Sequence, residues 1–472
     1  MTFLLTYDLH NGTKECLYEQ LYTFIKSDIL NGRFKTGEKL PSKRSFASHL
    51  KVSVITVENA YAQLIAEGYI YTIEKKGYFV AQVDTKPQKA TQITSTVQRP
   101  ANKKYLMDFQ KNSVLPEMFP FTVWAKTMRE VIQEIDKDLL LPTGHNGTFE
   151  LRQAIADYLR NFRGMTVNPE HIIIGAGTEY LYNFITQLLG RDKVYAVENP
   201  GYTKITKIYR LNKVTCEQIH LDSNGLSVKH LKKTNSDVVH ISPAHHYPTG
   251  IIMPVGRRQS LLKWANEKDG RYILEDDYDS EFRFSGKPIP TLFSIDAHEK
   301  VIYINTFSKT IAPSIRISYM VLPSHLFEKY SEKMGFYSCT VSSFEQYTLA
   351  RFISNGSFEK HINRTKKLYR QKRDILIQSI QNSFFSKMVT INEEKAGLHF
   401  LLHLNTKIPE YEIKRRAETK GIRLVLLSDY LFTADKKYEN ILVINYSGID
   451  IALIDEAIAI LFEIFHQDAN YD

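Results

Sequence analysis

The stretch NTFSKTIAPSIRISY, residues 305–319, sets Lys309 among hydroxyl-bearing residues, with Arg316 seven positions further on. A lysine amine can form a Schiff base with a carbonyl, and an arginine fork can hold an anion. The run KVIYINT leads into it and reads as a buried strand. Other strand-like runs also end in polar groups. HIIIGAGT passes into a glycine turn holding Gly177 and Thr178, KVYAVENPGY ends on Tyr202, and RYILEDDYDSEF supplies Asp276 and Tyr278. DVVHISPAHHYPTG is a further strand of the same kind.

These residue types match the needs of pyridoxal phosphate. A lysine forms the Schiff base, a carboxylate keeps the pyridine nitrogen protonated, and a phenol holds the ring hydroxyl. Backbone N–H groups at a helix start, hydroxyls and an arginine hold the phosphate. Lys309, Asp276 and Tyr278 supply the first three. Gly177, Thr178, Ser308 and Arg316 supply the phosphate site, and Tyr202 can cover the ring face. Singly, each signal is weak: a Gly-Ala-Gly turn is usually just a turn, and acidic runs usually face solvent. Their order, each after a strand, gives them weight.

The elements that must position these groups alternate from residue 105 onward as strands and helices. That pattern predicts an α/β sheet, with ligands at the carboxyl ends of the strands. The last hundred-odd residues, from roughly 345 to 472, mix helices with short strands and predict a smaller α/β subdomain. At 472 residues, the chain is long enough for several cores. Its 43% apolar and 24% charged content is that of a soluble globular protein. No run reaches the roughly 18 apolar residues of a membrane span, and no export leader is expected at MTFLLTYDLHNG. Cys16, Cys216 and Cys339 are widely scattered, which argues against disulfides or zinc and fits a reducing cytoplasm.

The first 82 residues read differently. Leu17, Leu21, Phe24, Ile25 and Ile29 predict a helix over 14–32. Ser42 caps a second helix bearing Phe46, Ala47 and Leu50, and Ser53 caps a third over 54–67. YIYTIEKKGYFVA alternates as a hairpin with Lys75 and Lys76 at its tip. Three helices and a two-stranded wing make a winged helix-turn-helix, whose partner is double-stranded DNA. Lys43, Arg44, Ser53, Thr56, Asn59, Lys75 and Lys76 are the candidate DNA contacts. Arg44 and the wing lysines suit phosphates; Thr56 and Asn59 suit base edges. Residues 83–104, rich in Thr, Gln, Lys and Pro, read as a flexible basic linker.

GAGTE, ENPGY, SPAHHYPTG, EDDYD and TFSKTIAPSIRISY together resemble fold-type I aminotransferases over roughly 105–465. LPSKRSFASHLKVSVITVENAYAQLIAEGY with KKGYFV resembles the GntR-type winged helix over roughly 12–80. The combination is similar to the MocR/GabR subfamily of bacterial regulators. The resemblance implies Lys309 as the Schiff-base lysine, Asp276 on the pyridine nitrogen, Tyr278 on the ring hydroxyl and Arg316 on the phosphate. It also implies a head-to-tail homodimer, and the few base contacts of one module point to promoters with repeated half-sites.

The sequence departs from that pattern in two places. Aminotransferases fix a substrate carboxylate with an arginine on a late strand. Here NILVINYSGID, residues 440–450, has Val443 and Gly448 at the two candidate positions. If the register differs, Arg423 is the candidate replacement. The basic residue after ENPGY is Lys204, where the GABA-responsive regulator has arginine. Both losses argue against GABA and against efficient transamination, leaving pyridoxal phosphate itself as the expected signal. The resemblance, to a subfamily that includes regulators of vitamin B6 synthesis genes, implies such genes as the target. The alternatives are a regulator responding to an amino acid or amine, or a true aminotransferase with an accessory DNA-binding domain. The third helix also lacks the arginines common at its start, with Val54, Ile55 and Glu58 in their places.

Overall fold

The computed structural model describes residues 6–10, 15–83, 104–112, 114–284, 286 and 289–466. The chain divides into two compact units, residues 1–101 and 102–472. Most of the expected linker lies outside the described residues. Among those described, no helix is long and apolar enough to cross a membrane.

The first unit has helices α1 (Leu17–Leu30), α2 (Lys43–Leu50) and α3 (Val54–Ala66), then strands β1 (Ile70–Ile73) and β2 (Gly77–Val80). Glu19 reaches back to the Cys16 N–H (3.1 Å) and closes the start of α1. Helix α1 is shorter than its predicted 14–32. Ser42 accepts the Ser45 N–H (3.2 Å) at the start of α2, and Ser53 accepts the Thr56 N–H (3.1 Å) at the start of α3. The wing strands pair antiparallel, with Ile70 opposite Val80 and Ile73 opposite Gly77. Lys75 takes the left-handed conformation (φ 57°) at the tip, which turns the chain within three residues. Leu21, Ile25, Phe46, Val57, Tyr61 and Leu64 form the core between the three helices.

The second unit opens with strand β3 (Met107–Asp108) and helices α4 (Phe121–Ile135) and α5 (Phe149–Arg163). An eight-stranded sheet follows. Its strands are β4 (Ile172–Gly175), β5 (Val194–Asn199), β6 (Thr215–Asp222), β7 (Gly225–Leu226), β8 (Val238–Ile241), β9 (Tyr272–Asp276), β10 (Val301–Thr306) and β11 (Ser318–Val321). Their spatial order is β4-β11-β10-β9-β8-β5-β6-β7. The strands from β10 through β9, β8 and β5 to β6 run parallel, and β11 runs antiparallel to both neighbours. The central strands are wholly buried, as their continuous apolar runs require of a sheet covered on both faces. Helices α6 (Thr178–Leu189) and α7 (Thr203–Leu211) follow β4 and β5.

The C-terminal lobe holds an antiparallel sheet of β12 (Val389–Asn392), β13 (His399–Leu404) and β15 (Ile441–Asn445) against the long helix Ser357–Asn382. The short strand β14 (Ile422–Arg423) pairs in parallel with β3. Met107 and Phe109 share a core with Leu376, Phe400, Leu442 and Leu461. The lobe expected from residue 345 onward thus includes a strand from near residue 107, too short to be found by periodicity.

Candidate functional site

A cavity of about 520 Å³ opens at the carboxyl ends of β5, β8, β9 and β10 and the start of α6. Thr178, Tyr202, Asp276, Tyr278, Ser308, Lys309 and Arg316 all line it. Gly177 is the residue just before α6. The structure therefore brings together side chains separated by more than a hundred residues, as expected at the strand ends of an open α/β sheet.

One end is built for an anion. Gly177 has φ 95°, and a Cβ there would sit 2.1 Å from Arg316 Nη2. Only glycine leaves room for the guanidinium beside the free N–H groups of α6. Arg316 itself takes a left-handed backbone (φ 53°) and donates to Glu179 Oε2 at 2.9 Å. Lys204 pairs with the same carboxylate, and this pairing, with Arg316 in support, holds Glu179 below the usual carboxylate range. Ser308 accepts from Thr306 Oγ1 (3.0 Å), which in turn accepts from Ser318 Oγ (2.7 Å).

The middle is built for a cationic ring nitrogen. Asp276 ends β9 and is 6% exposed. Its Oδ2 accepts from Tyr182 at 2.5 Å and lies 3.5 Å from His240 Nε2. Its Oδ1 is buried without a partner. An unpaired buried carboxylate oxygen is costly, so this one calls for a donor from the cavity. Tyr278 Oη lies 3.2 Å from His245 Nδ1, which is also 2.9 Å from Asp279 Oδ2. Lys309 donates to the Asn112 carbonyl (2.8 Å), and burial lowers the pKa of its amine. A depressed pKa leaves more free amine at neutral pH, the form that attacks a carbonyl.

Acidic runs usually face solvent. Instead Glu275, Asp277, Asp279 and Glu281 are all buried. Glu275 accepts the Leu292 and Phe293 N–H groups (2.8 and 2.9 Å), and Asp277 pairs with the buried Arg163 (2.6 Å). Glu198, unforeseen in the sequence, lies 3.3 Å from His246 Nε2. Burial raises Glu198 to about 8 and lowers His246 to about 3, favouring the neutral form of both despite their ion-pair distance. Tyr182, His240, His245 and Tyr430 were also missed. No single run carries them together, and only packing makes them neighbours.

Part of the cavity wall is aromatic. Tyr247 and Tyr430 meet hydroxyl to hydroxyl at 2.5 Å. Val443 is fully buried among Leu401, Val425, Tyr430 and Tyr438. Arg423 does not replace the missing arginine. It sits on β14, 3.7 Å from Asp108 and over the Tyr105 ring, and does not line the cavity.

On the first unit, Arg44, Ser53, Asn59, Lys75 and Lys76 are exposed and Thr56 is half-buried. Lys43 pairs with Glu58 rather than standing free. The Ser53 and Thr56 hydroxyls are 2.8 Å apart and bond to each other at the cap of α3.

Residues 105–455 match the family of class I and II aminotransferases, and residues 17–80 match the GntR family of bacterial regulatory proteins. An uncharacterized HTH-type transcriptional regulator of Bacillus subtilis, YdeL, is 40% identical over 87% of this chain and 89% of its own length. The probable rhizopine catabolism regulatory protein MocR of Rhizobium meliloti is 29% identical over 94% and 92%. The chain belongs to the MocR-type regulators of the GntR family. Another relative is the pyridoxine biosynthesis transcriptional regulator PdxR of Corynebacterium glutamicum, 28% identical over 87% of this chain and 88% of its own. Among solved structures, a Pyrococcus horikoshii kynurenine aminotransferase in complex with PMP superposes with a TM-score of 0.68. It is 25% identical and covers 78% of this chain and 92% of its own.

As a MocR-type regulator, the chain is a DNA-binding transcriptional regulator with an aminotransferase-like domain whose cofactor is pyridoxal phosphate. The cavity fits that group. The glycine–arginine cradle suits a phosphate, the orphaned Asp276 oxygen suits a protonated pyridine, and the amine of Lys309 lies between them in sequence and lines the same space. When bound, the cofactor supplies a carbonyl that a primary amine can capture reversibly.

Proposed function

We propose that pyridoxal phosphate is the signal this regulator senses, and that vitamin B6 synthesis genes are its targets. The observation that carries the reading is a complete set of cofactor groups without a substrate-carboxylate arginine. Every group a cofactor needs is present, while neither candidate position for a substrate-carboxylate arginine, Val443 or Gly448, holds one. Similarity to a pyridoxine biosynthesis regulator supports it.

In this reading Lys309 captures the carbonyl, Asp276 holds the pyridine proton, and Tyr278 bonds the ring hydroxyl. Gly177, Thr178, Ser308 and Arg316 bind the phosphate, and Tyr202 covers the ring. Residues 1–82 bind DNA through Arg44, Asn59, Lys75 and Lys76, with Lys43, Ser53 and Thr56 as further contacts. Residues 83–104 link them to the effector domain, 105–472. The active form is a head-to-tail homodimer on repeated half-sites, and turnover is not its purpose.

A second reading, a sensor of amines, draws on Lys204. That cation lines the cavity and could meet a carboxylate if it left Glu179. The two readings separate in one titration. Promoter occupancy is followed as pyridoxal phosphate is added, alone and then with a panel of amines and amino acids. Occupancy that tracks the cofactor and ignores the panel supports the first reading. Occupancy unmoved by the cofactor refutes it.

A further inference from the structure

Val54 and Ile55 open α3, the second helix of the helix-turn-helix, and are 41% and 67% exposed. One exposed apolar residue is unremarkable on any surface. Two adjacent β-branched residues at the N-terminal turn of a recognition helix are different, because that turn is the part that meets base edges in the major groove.

The polar groups around them are already engaged. Ser53 accepts the Thr56 N–H at 3.1 Å, and its hydroxyl lies 2.8 Å from that of Thr56. Glu58, one turn beyond Val54, pairs with Lys43. Val57, Ala60, Tyr61 and Leu64 turn inward to the core. The outward face at the start of α3 therefore presents the methyl groups of Val54 and Ile55, with exposed Asn59 one turn beyond Ile55.

In the major groove, the C5-methyl of thymine is the apolar mark, and an asparagine amide can pair with the N6 and N7 of adenine. We propose that Val54 and Ile55 read thymine methyl groups, so that this regulator selects half-sites with thymines under the first turn of α3. The proposal rests on α3 being the helix that enters the groove. The specificity is thus carried by an apolar contact where an arginine would read guanine.

The test uses the full-length protein with pyridoxal phosphate bound and duplexes selected by it from a random library. The thymines of each selected half-site are replaced by deoxyuridine, which keeps every base pair and removes only the methyl group. Affinity is read by fluorescence anisotropy at fixed salt. The proposal expects a loss of roughly fourfold per methyl contact. It also expects the doubly substituted Val54→Ala, Ile55→Ala protein to bind thymine and uracil duplexes alike. Both side chains are exposed, and the uracil comparison needs no variant at all. Equal binding of the two duplexes by the unaltered protein overturns the proposal. If uracil costs nothing and Asn59→Ala also leaves affinity and selected sequence unchanged, α3 is not in the groove, and the proposal falls with that assignment. If Asn59→Ala changes the selected sequence but uracil costs nothing, the methyl reading alone is overturned.

Discussion

In the effector unit, residues 275–281 put four further acidic side chains beside Asp276 out of solvent; in the DNA-binding unit, the first turn of α3 holds Val54 and Ile55 in it. Each is the reverse of the usual partition of polar and apolar groups. Each is unfavourable by itself, and each points to a proposed partner: a protonated pyridine ring for the orphaned Asp276 oxygen, thymine methyl groups for Val54 and Ile55. The contrast teaches where to look for function, since sites are where local rules are broken. The two units also share a device. Glu179 pairs with Arg316 and Lys204 in the cavity, and Glu58 pairs with Lys43 beside α3. In both, a carboxylate sits on a cation proposed to meet a phosphate.

The largest effect is expected from Lys309→Ala. The visible absorbance of lysine-bound cofactor should vanish, and borohydride should leave no covalent label. Retained labelling would move the reactive amine elsewhere. Next comes Asp276→Ala, which removes the buried partner of the ring nitrogen and leaves Tyr182 unpaired. Affinity for pyridoxal phosphate should fall roughly tenfold to a hundredfold, the range of a charge-assisted hydrogen bond, as measured by fluorescence titration.

The buried Glu198 makes a pH prediction. Its folded pKa, about 8, lies above its unfolded value. Between these values, unfolding releases a proton, so its contribution to stability is present at low pH and is lost as pH rises through about 8. The slope reaches at most about 1.4 kcal/mol per pH unit. Glu198→Gln should flatten the fall in melting temperature between pH 5 and 8. An unchanged slope would show that Glu198 is ionised in the folded protein. His246 acts in the opposite sense, at pH below its unfolded value.

The smallest effects test the shared device. Glu179→Gln should tighten phosphate-ester binding a few-fold, because it removes a like charge from beside the anion. Glu58→Gln should free Lys43 for a DNA phosphate and steepen the salt dependence of DNA binding by roughly one unit. If the first changes nothing while the second does, the two carboxylates are not equivalent.

Much of this was legible in the sequence. Asp276 ends β9 with Tyr278 just beyond it, Lys309 follows β10, and Arg316 precedes the antiparallel β11, so the sheet delivers all four to one rim. Ser42 and Ser53 announced α2 and α3 through local hydrogen bonds alone. What stayed hidden depends on distant packing. His245 meets Tyr278 only through the fold, Glu198 meets His246 across two strands, and β3 finds β14 from the far end of the unit. Burial of Glu275 and Asp277 was equally invisible, because their partners, the Leu292 and Phe293 N–H groups and Arg163, lie well away in the chain. Exposure of Val54 and Ile55 was partly visible, as they fall off the 57-60-61-64 stripe.

The pairing of Met107 with Ile422 sets an order of events during synthesis. The first strand of the effector unit emerges from the ribosome about 300 residues before its partner, a wait of roughly 15–60 s at ordinary elongation rates. The winged helix, whose core is drawn from residues 7–83 alone, can be finished long before then. A nascent chain can thus hold a competent DNA reader while its sensor is still open, and any cofactor check on that reader begins only once the late strand arrives.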